Sequence, residues 1–183
     1  MKEAIEWAVK GRELPPEMMA AAVRAMMDGS AAEAQIGAFL SALSIKGETV
    51  GEISAAVGVL RELMTPQPLP DDDVWVDIVG TGGDGASFFN VSTAAALVAS
   101  AGGVKIAKHG NVGVSSSSGS ADVLRLAGLR LDLSPAQLRD CMAATGFGFM
   151  FAPNYHSAMR HVAPARRAIG IRTIFNILGP LAN

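Results

Sequence analysis

Cysteine is almost missing from this sequence: Cys141 is the one thiol in 183 residues. It cannot close an intrachain disulfide, and no CxxC or Cys/His zinc spacing surrounds it. A disulfide scaffold and a zinc clip are therefore excluded, and a reducing, cytoplasmic setting is expected. Neither sign of charge dominates. The chain carries 15 Lys and Arg against 17 Asp and Glu, for a net charge of −2, so it lacks the concentrated basic surface that displaces counterions from nucleic acid. Long apolar runs are missing too, since Gly, Ser or charge breaks each one before the roughly 18 residues a membrane span needs. The opening MKEAIEWAVKGRE contains acidic residues and no cleavage-type segment. Neither nucleic acid nor membrane is expected as a partner. What the chain has in quantity is glycine, at 20 residues, and apolar side chains, at 50%. That is enough to build a packed core at this length without a metal or a disulfide.

The first 64 residues read as helices. Met18, Ala22, Ala25 and Met26 share one helical face after Pro15 and Pro16, which suit a first turn where the missing N–H is no loss. Asp28 and Gly29 end that helix. Ser30 and Glu33 have capping-box spacing before Ile36, Phe39, Leu40 and Leu43, and Thr49 and Glu52 repeat the device before Ile53, Val57 and Leu60. A shorter helix is expected around Ala4 to Lys10. Short loops imply antiparallel neighbours, and no catalytic polar groups converge, so residues 1–64 read as a packing or oligomerisation module.

The segment TPQPLP, residues 65–70, holds three prolines in six positions and reads as a linker. Beyond it, strand and helix signals alternate. VWVDIV (Val74 to Val79) is an expected strand, followed by a Gly-rich turn and an Ala-rich helix. VKIAK (Val104 to Lys108) is a second strand, Ala121 to Leu126 a helix, and Ser134, Pro135 and Gln137 cap another. Phe147 to Phe151 is a third, buried strand. This is the grammar of a parallel sheet. The expected fold class is α/β, a small N-terminal helical domain followed by a mainly parallel-sheet domain over 71–183.

GTGGDG (Gly80 to Gly85) leaves the C-terminal end of the first expected strand, where open α/β sheets bind ligands. It matches GxGxxG, which a plain tight turn satisfies as well. A nicotinamide-binding unit ends its second strand in Asp or Glu to hold the ribose. Here that strand ends in Lys108 and His109, which argues against a dehydrogenase, and the Gly-rich loop lacks the GK-Ser/Thr of a P-loop. Glycine amides approach an anion closely, and a helix opens at NVST (Asn90 to Thr93) with a start that favours negative charge. Ser92 and Thr93 also read as ordinary capping residues. KHGN (Lys108 to Asn111) arrives at the same edge, as does the Ser-rich loop through Ser120. Three anion-friendly loops on one edge point to phosphate or pyrophosphate.

DIVGTGGDG, FNVSTAAA, KHGN, SGSADVL, YHSAMRHVAPARR and GIRTIFNILGP, in this order and spacing, resemble the anthranilate phosphoribosyltransferases of tryptophan biosynthesis, from the helical start to the last residue. The resemblance implies transfer of the phosphoribosyl group from 5-phosphoribosyl 1-diphosphate to the amine of anthranilate, release of pyrophosphate, a need for Mg2+, and a homodimer made by the helical domain. It places the diphosphate donor against Gly80, Gly82, Gly83 and Asp84, against Asn90, Val91, Ser92 and Thr93, against Lys108, His109, Gly110 and Asn111, and against Ser115, Ser116 and Ser120. Ser92 would also touch magnesium, and Gly80, Asn111 and Arg166 would receive anthranilate. No catalytic residue is assigned; His109 and His156 are candidates for proton acceptor that read equally well as structural hydrogen-bonders. Arg167 follows Arg166 on one helix about 100° away and is expected in solvent.

Pyrimidine nucleoside phosphorylases are similar in fold and share a Gly-rich anion loop, but KHGN and RTIFNILGP favour the transferase. The non-enzyme alternative is a dimerisation module carrying an anion-binding loop. Val112 and Ser117 stand where the family usually carries Arg and Lys, and Phe88 where Thr is common. The sequence stops at GPLAN, about halfway through the family's usual length and before its acidic metal-binding pair, so an N-terminal fragment is expected.

Overall fold

The computed structural model describes residues 1–80, 89–113 and 118–182. In chain order it contains α1 (Lys2–Val9), α2 (Pro16–Met27), α3 (Glu33–Lys46), α4 (Val50–Leu63), α5 (Val91–Ala101), β1 (Ile106–Gly110), α6 (Ser120–Leu126), α7 (Pro135–Thr145), β2 (Phe147–Phe151) and α8 (Ala152–Tyr155). A 3-10 turn (Ser157–His161), α9 (Ala163–Ile169) and α10 (Phe175–Leu181) follow. Two compact units result: Met1–Met64 with His156–Asn183, and Thr65–Tyr155. Among the described residues no helix is long and apolar enough to cross a membrane.

In the helical unit α1 packs on α3, α2 on α4, α9 on α3 and α10 on α4. Phe39, Leu40, Val23, Val162, Ile174 and Leu178 share one core. That core explains why 156–182 groups with the helices although the sequence reads as α/β from 71 onward. Val162, Ala165 and Ile169 recur at helical spacing and present an apolar stripe. Pro15 precedes α2, and Gly29 at φ +80 turns the chain after it. The expected Ser30–Glu33 box is not what starts α3. The helix begins after Ala32, whose N–H donates to Gln35 Oε1 at 3.1 Å, while Ser30 N–H bonds Asp28 Oδ1 at 2.8 Å. Ser30 closes the turn rather than the helix. The Thr49–Glu52 box forms as expected, with Glu52 N–H to Thr49 Oγ1 at 3.3 Å and Thr49 N–H to Glu52 Oε2 at 2.9 Å.

In the second unit β1 and β2 pair in parallel, Ile106 opposite Phe147 through Gly110 opposite Phe151. The expected VKIAK strand is shifted two residues toward the C-terminus. Among the described residues VWVDIV contributes only the bridge of Val76 to Ile106 on the other side of β1, with Val76 N–H to the Lys105 carbonyl at 2.9 Å and Ala107 N–H to the Val76 carbonyl at 3.0 Å. Two side chains stop the ladder there. The next rung would pair His109 N–H with the Ile78 carbonyl, but Asp77 Oδ1 accepts that N–H at 3.1 Å, and Lys108 Nζ donates to the Ile78 carbonyl at 2.5 Å. α5 covers β1 and α7 covers β2. Ser134 caps α7 by accepting from Gln137 N–H at 3.3 Å, as the sequence predicts, and Gly146 ends it in the left-handed conformation.

Candidate active site

One of the two side chains that interrupt the ladder, Lys108, belongs to the C-terminal half of β1, where chain direction delivers Lys108, His109 and Gly110 in succession, with Asn111 directly after them. Lys108 is 1% exposed. Its ammonium lies 3.4 Å from Ser92 Oγ in the first turn of α5. Burial pushes its pKa down, against the opposing field of Asp77. Thr93 is buried beside Ser92, and its hydroxyl has no hydrogen-bond partner among the described residues. Asn90, just before α5, donates from Nδ2 to Ser118 Oγ at 3.1 Å, tying the helix start to the Ser-rich loop.

Gly110 is a glycine because of what surrounds it. A Cβ there would stand 2.8 Å from the Phe149 ring and 3.1 Å from Ser120 Cβ. This approach brings KHGN against the start of α6. Asn111 is exposed, accepts from Ala121 N–H through its carbonyl at 3.1 Å, and turns its side-chain oxygen onto Val112 N–H at 2.8 Å. Gly80 and Val91 are exposed as well. His109 is 8% exposed, with its ring edge-on to Tyr155 at 6.4 Å between centroids.

Asn90, Ser92, Lys108, Gly110, Asn111 and Ser120 thus come together through contacts of α5, β1 and α6. Gly82, Gly83, Asp84, Ser115 and Ser116, with Phe88 and Ser117, lie outside the described residues. Arg166 and His156 belong to the helical unit. Arg166 is half-buried with its guanidinium 5.2 Å over the Phe175 ring, and burial lowers its pKa from the ordinary arginine range. Arg167 is exposed, as the helical offset predicts. Burial also lowers the His156 pKa, which favours the neutral imidazole that can accept a proton.

Sequence reasoning assigned no role to Asp77, Ser118 or Asp122. The signal for Asp77 was present, as a single acidic residue inside an apolar strand run. That for Asp122 was its position three residues after Gly119. No group of three or more His, Cys, Asp or Glu among the described residues is gathered to hold a metal. Ser92 offers a hard hydroxyl oxygen, which suits one position in a magnesium shell otherwise filled by phosphate and water.

Residues 2–64 match the helical bundle domain of the glycosyl transferase family and residues 72–183 its a/b domain. The chain is 53% identical over 180 residues to anthranilate phosphoribosyltransferase of Dechloromonas aromatica, covering 98% of itself and 53% of that protein. It is similar to the crystal structure of anthranilate phosphoribosyltransferase from Thermus thermophilus, with a TM-score of 0.87 and 46% identity over 98% of this chain and 54% of that one. It is also similar to anthranilate phosphoribosyltransferase from Saccharomyces cerevisiae in complex with PRPP and Mg, at a TM-score of 0.81 and 32% identity over 92% of this chain and 50% of that one. The chain spans about half the length of the curated relatives it matches.

Proposed function

From the premise that the chain belongs to the glycosyl transferase family, with that family's helical bundle and a/b domains, we propose that it takes part in anthranilate phosphoribosyl transfer in tryptophan biosynthesis. The observation that carries this reading is the desolvated Lys108 ammonium at the end of β1, with the Ser92 hydroxyl 3.4 Å away and the Asn90–Ser118 tie beside it. A lysine held in low dielectric, with a carbonyl and a hydroxyl as hydrogen-bond partners and the field of Asp77 outweighed by its burial, is suited to a bound anion, which replaces the stabilisation that water gave the charge.

In the proposed reaction the anthranilate amine gives its lone pair to ribose C1 as the bond from C1 to the diphosphate oxygen breaks. The electron pair of that bond leaves with pyrophosphate, and the new C–N nitrogen releases a proton. Positive charge grows on the sugar while negative charge grows on the leaving group. Lys108, held at the end of β1 beside Ser92, stabilises the second of these as a cation fixed near the leaving group. Asn90, Val91, Ser92, Thr93, His109, Gly110, Asn111 and Ser120 complete the proposed donor site within the described residues, and Gly82, Gly83, Asp84, Ser115 and Ser116 extend it. Gly80, Asn111 and Arg166 are proposed to receive anthranilate, Arg166 through a forked pair with the carboxylate. A bound Mg2+ would neutralise diphosphate charge, with Ser92 as its protein ligand. His109 and His156 are the candidate proton acceptors; an aryl amine is neutral at pH 7 and needs no base before attack.

We assign the protein to the cytoplasm on its single cysteine. We also assign it a homodimeric state through the helical unit, where Ile45 and Val50 expose apolar side chains that such a partner would cover. Adding phosphoribosyl diphosphate and magnesium to the chain with anthranilate tests the reaction. Disappearance of anthranilate fluorescence supports it, whereas diphosphate binding with undiminished fluorescence reduces the chain to an anion-binding module.

A further inference from the structure

Asp122 stands at the third position of α6, and a capping role there needs one bond, to the N–H of Gly119. It makes two. Its Oδ2 accepts from Gly119 N–H at 2.8 Å and also from Gly113 N–H, nine residues back along the chain, at 2.8 Å. Three further observations surround this staple. Asn111 is bonded to Ala121 through its carbonyl at 3.1 Å, so residues 111–113 lie along the start of α6. A Cβ at Gly119 would collide with the backbone of Asn111, Val112 and Gly113, so only glycine allows the approach. Ser118, next to Gly119, receives the Asn90 amide at 3.1 Å. One carboxylate oxygen therefore joins the KHGN segment, the Ser-rich loop and, through Ser118, the start of α5.

We propose that Asp122 is a positioning residue, whose carboxylate ties Gly113 to Gly119 and so holds Asn111 and Ser118 in place at the diphosphate-binding edge of the sheet. This rests on the anion-binding reading given above. The two amide donors lower the pKa of Asp122, with a smaller contribution from Arg125, and keep it ionised. A negative charge near an anion site would by Coulomb's law weaken binding, so its presence is accounted for by the geometry it imposes. Both bonds end on one oxygen, and the amide oxygen of asparagine can accept both.

The sign of the effect separates the possibilities. Pyrophosphate and phosphoribosyl diphosphate, each with magnesium, are titrated calorimetrically into the full chain, into Asp122→Asn and into Asp122→Ala. Amide exchange at Gly113, Gly119 and Ala121 is followed in all three without ligand. The staple predicts that Asp122→Ala binds about ten- to a hundredfold more weakly, the cost of misplacing groups that act by position. It also predicts faster exchange at Gly113 and Gly119 in that variant, and that Asp122→Asn stays close to the unsubstituted chain in both measurements. A purely electrostatic role predicts tighter binding in both variants, and that result overturns the proposal. So does unchanged affinity or unchanged exchange in Asp122→Ala. If the unsubstituted chain binds neither ligand, the functional reading fails and the exchange data decide the staple: faster exchange confined to Asp122→Ala upholds it, and equal exchange overturns it.

Discussion

Glu52 in the helical unit and Lys108 in the α/β unit are equally removed from water, at 0% and 1% exposure, yet their surroundings differ. Burial pushes the Glu52 carboxyl up, but three donors outweigh it: Leu14 N–H at 2.9 Å, Lys46 Nζ at 2.8 Å and Thr49 N–H at 2.9 Å. The net pKa lies below the usual carboxylate range. Lys46 is itself buried against it, so the charge is answered within the chain. Lys108 has as hydrogen-bond partners a carbonyl and a hydroxyl, and Thr93 beside it lacks a partner among the described residues. Thr173 is the helical unit's counterpart of Thr93. A buried charge that its own chain fully compensates is scaffold; one whose desolvation outweighs the field of its neighbour Asp77, at a sheet edge, is what an anion site requires.

Removing each charge should break this contrast in opposite directions. Glu52→Ala strips three donors of their acceptor and leaves Lys46 buried without its partner. Denaturant unfolding should then report a loss of about 3–5 kcal/mol. Lys108→Met should leave unfolding free energy undiminished, because a desolvated ammonium is replaced by an apolar side chain of similar length. Diphosphate affinity should fall roughly ten- to a hundredfold with loss of a charged hydrogen bond. Gly110→Ala forces a Cβ into the Phe149 ring and the Ser120 side chain and should cost about 1–3 kcal/mol by overpacking. Melting and diphosphate titration should both register it.

Titration sharpens the comparison further. The depressed carboxyl of Glu52 gives stability that is present above the ordinary glutamate range and lost as pH falls through the lowered folded value. Glu52→Gln should flatten the acid limb of the stability curve. Lys108 is lowered in the folded state, so it sheds its proton at a pH below that of an ordinary lysine. Diphosphate affinity should therefore decline as alkaline pH is approached, and binding there should take up a proton, visible as a buffer-dependent enthalpy that Lys108→Met abolishes. The smallest effect is expected at the exposed pair of Glu6 and Lys10, where Lys10→Ala should leave the unfolding midpoint unmoved.

Local chemistry made the helices legible. Pro15 and Pro16, the Thr49–Glu52 box, and Ser134 with Pro135 act within one turn, and the structure uses each as expected. The Ser30–Glu33 pair misled because Asp28 competes for the same turn. The first strand was overread because its apolar pattern says nothing of which carbonyl Lys108 captures. Within the candidate site, Lys108, Ser92 and Asn90 were readable as residue types suited to phosphate. Ser118 was not, since its role lies in a bond to a residue 28 positions away; for Asp122 the spacing to Gly119 was readable, but its bond to Gly113, nine positions away, was not.

By itself the sequence determined which segments coil, where they are capped, and that glycine, hydroxyl and lysine recur at one set of strand ends, because those preferences act between near neighbours along the chain. Tertiary structure alone decided that Lys108 is desolvated, that 156–182 packs with the N-terminal helices, and that one oxygen of Asp122 joins two loops. Burial and long-range hydrogen bonds arise only when distant segments exclude water together, and no local pattern encodes which segments those are.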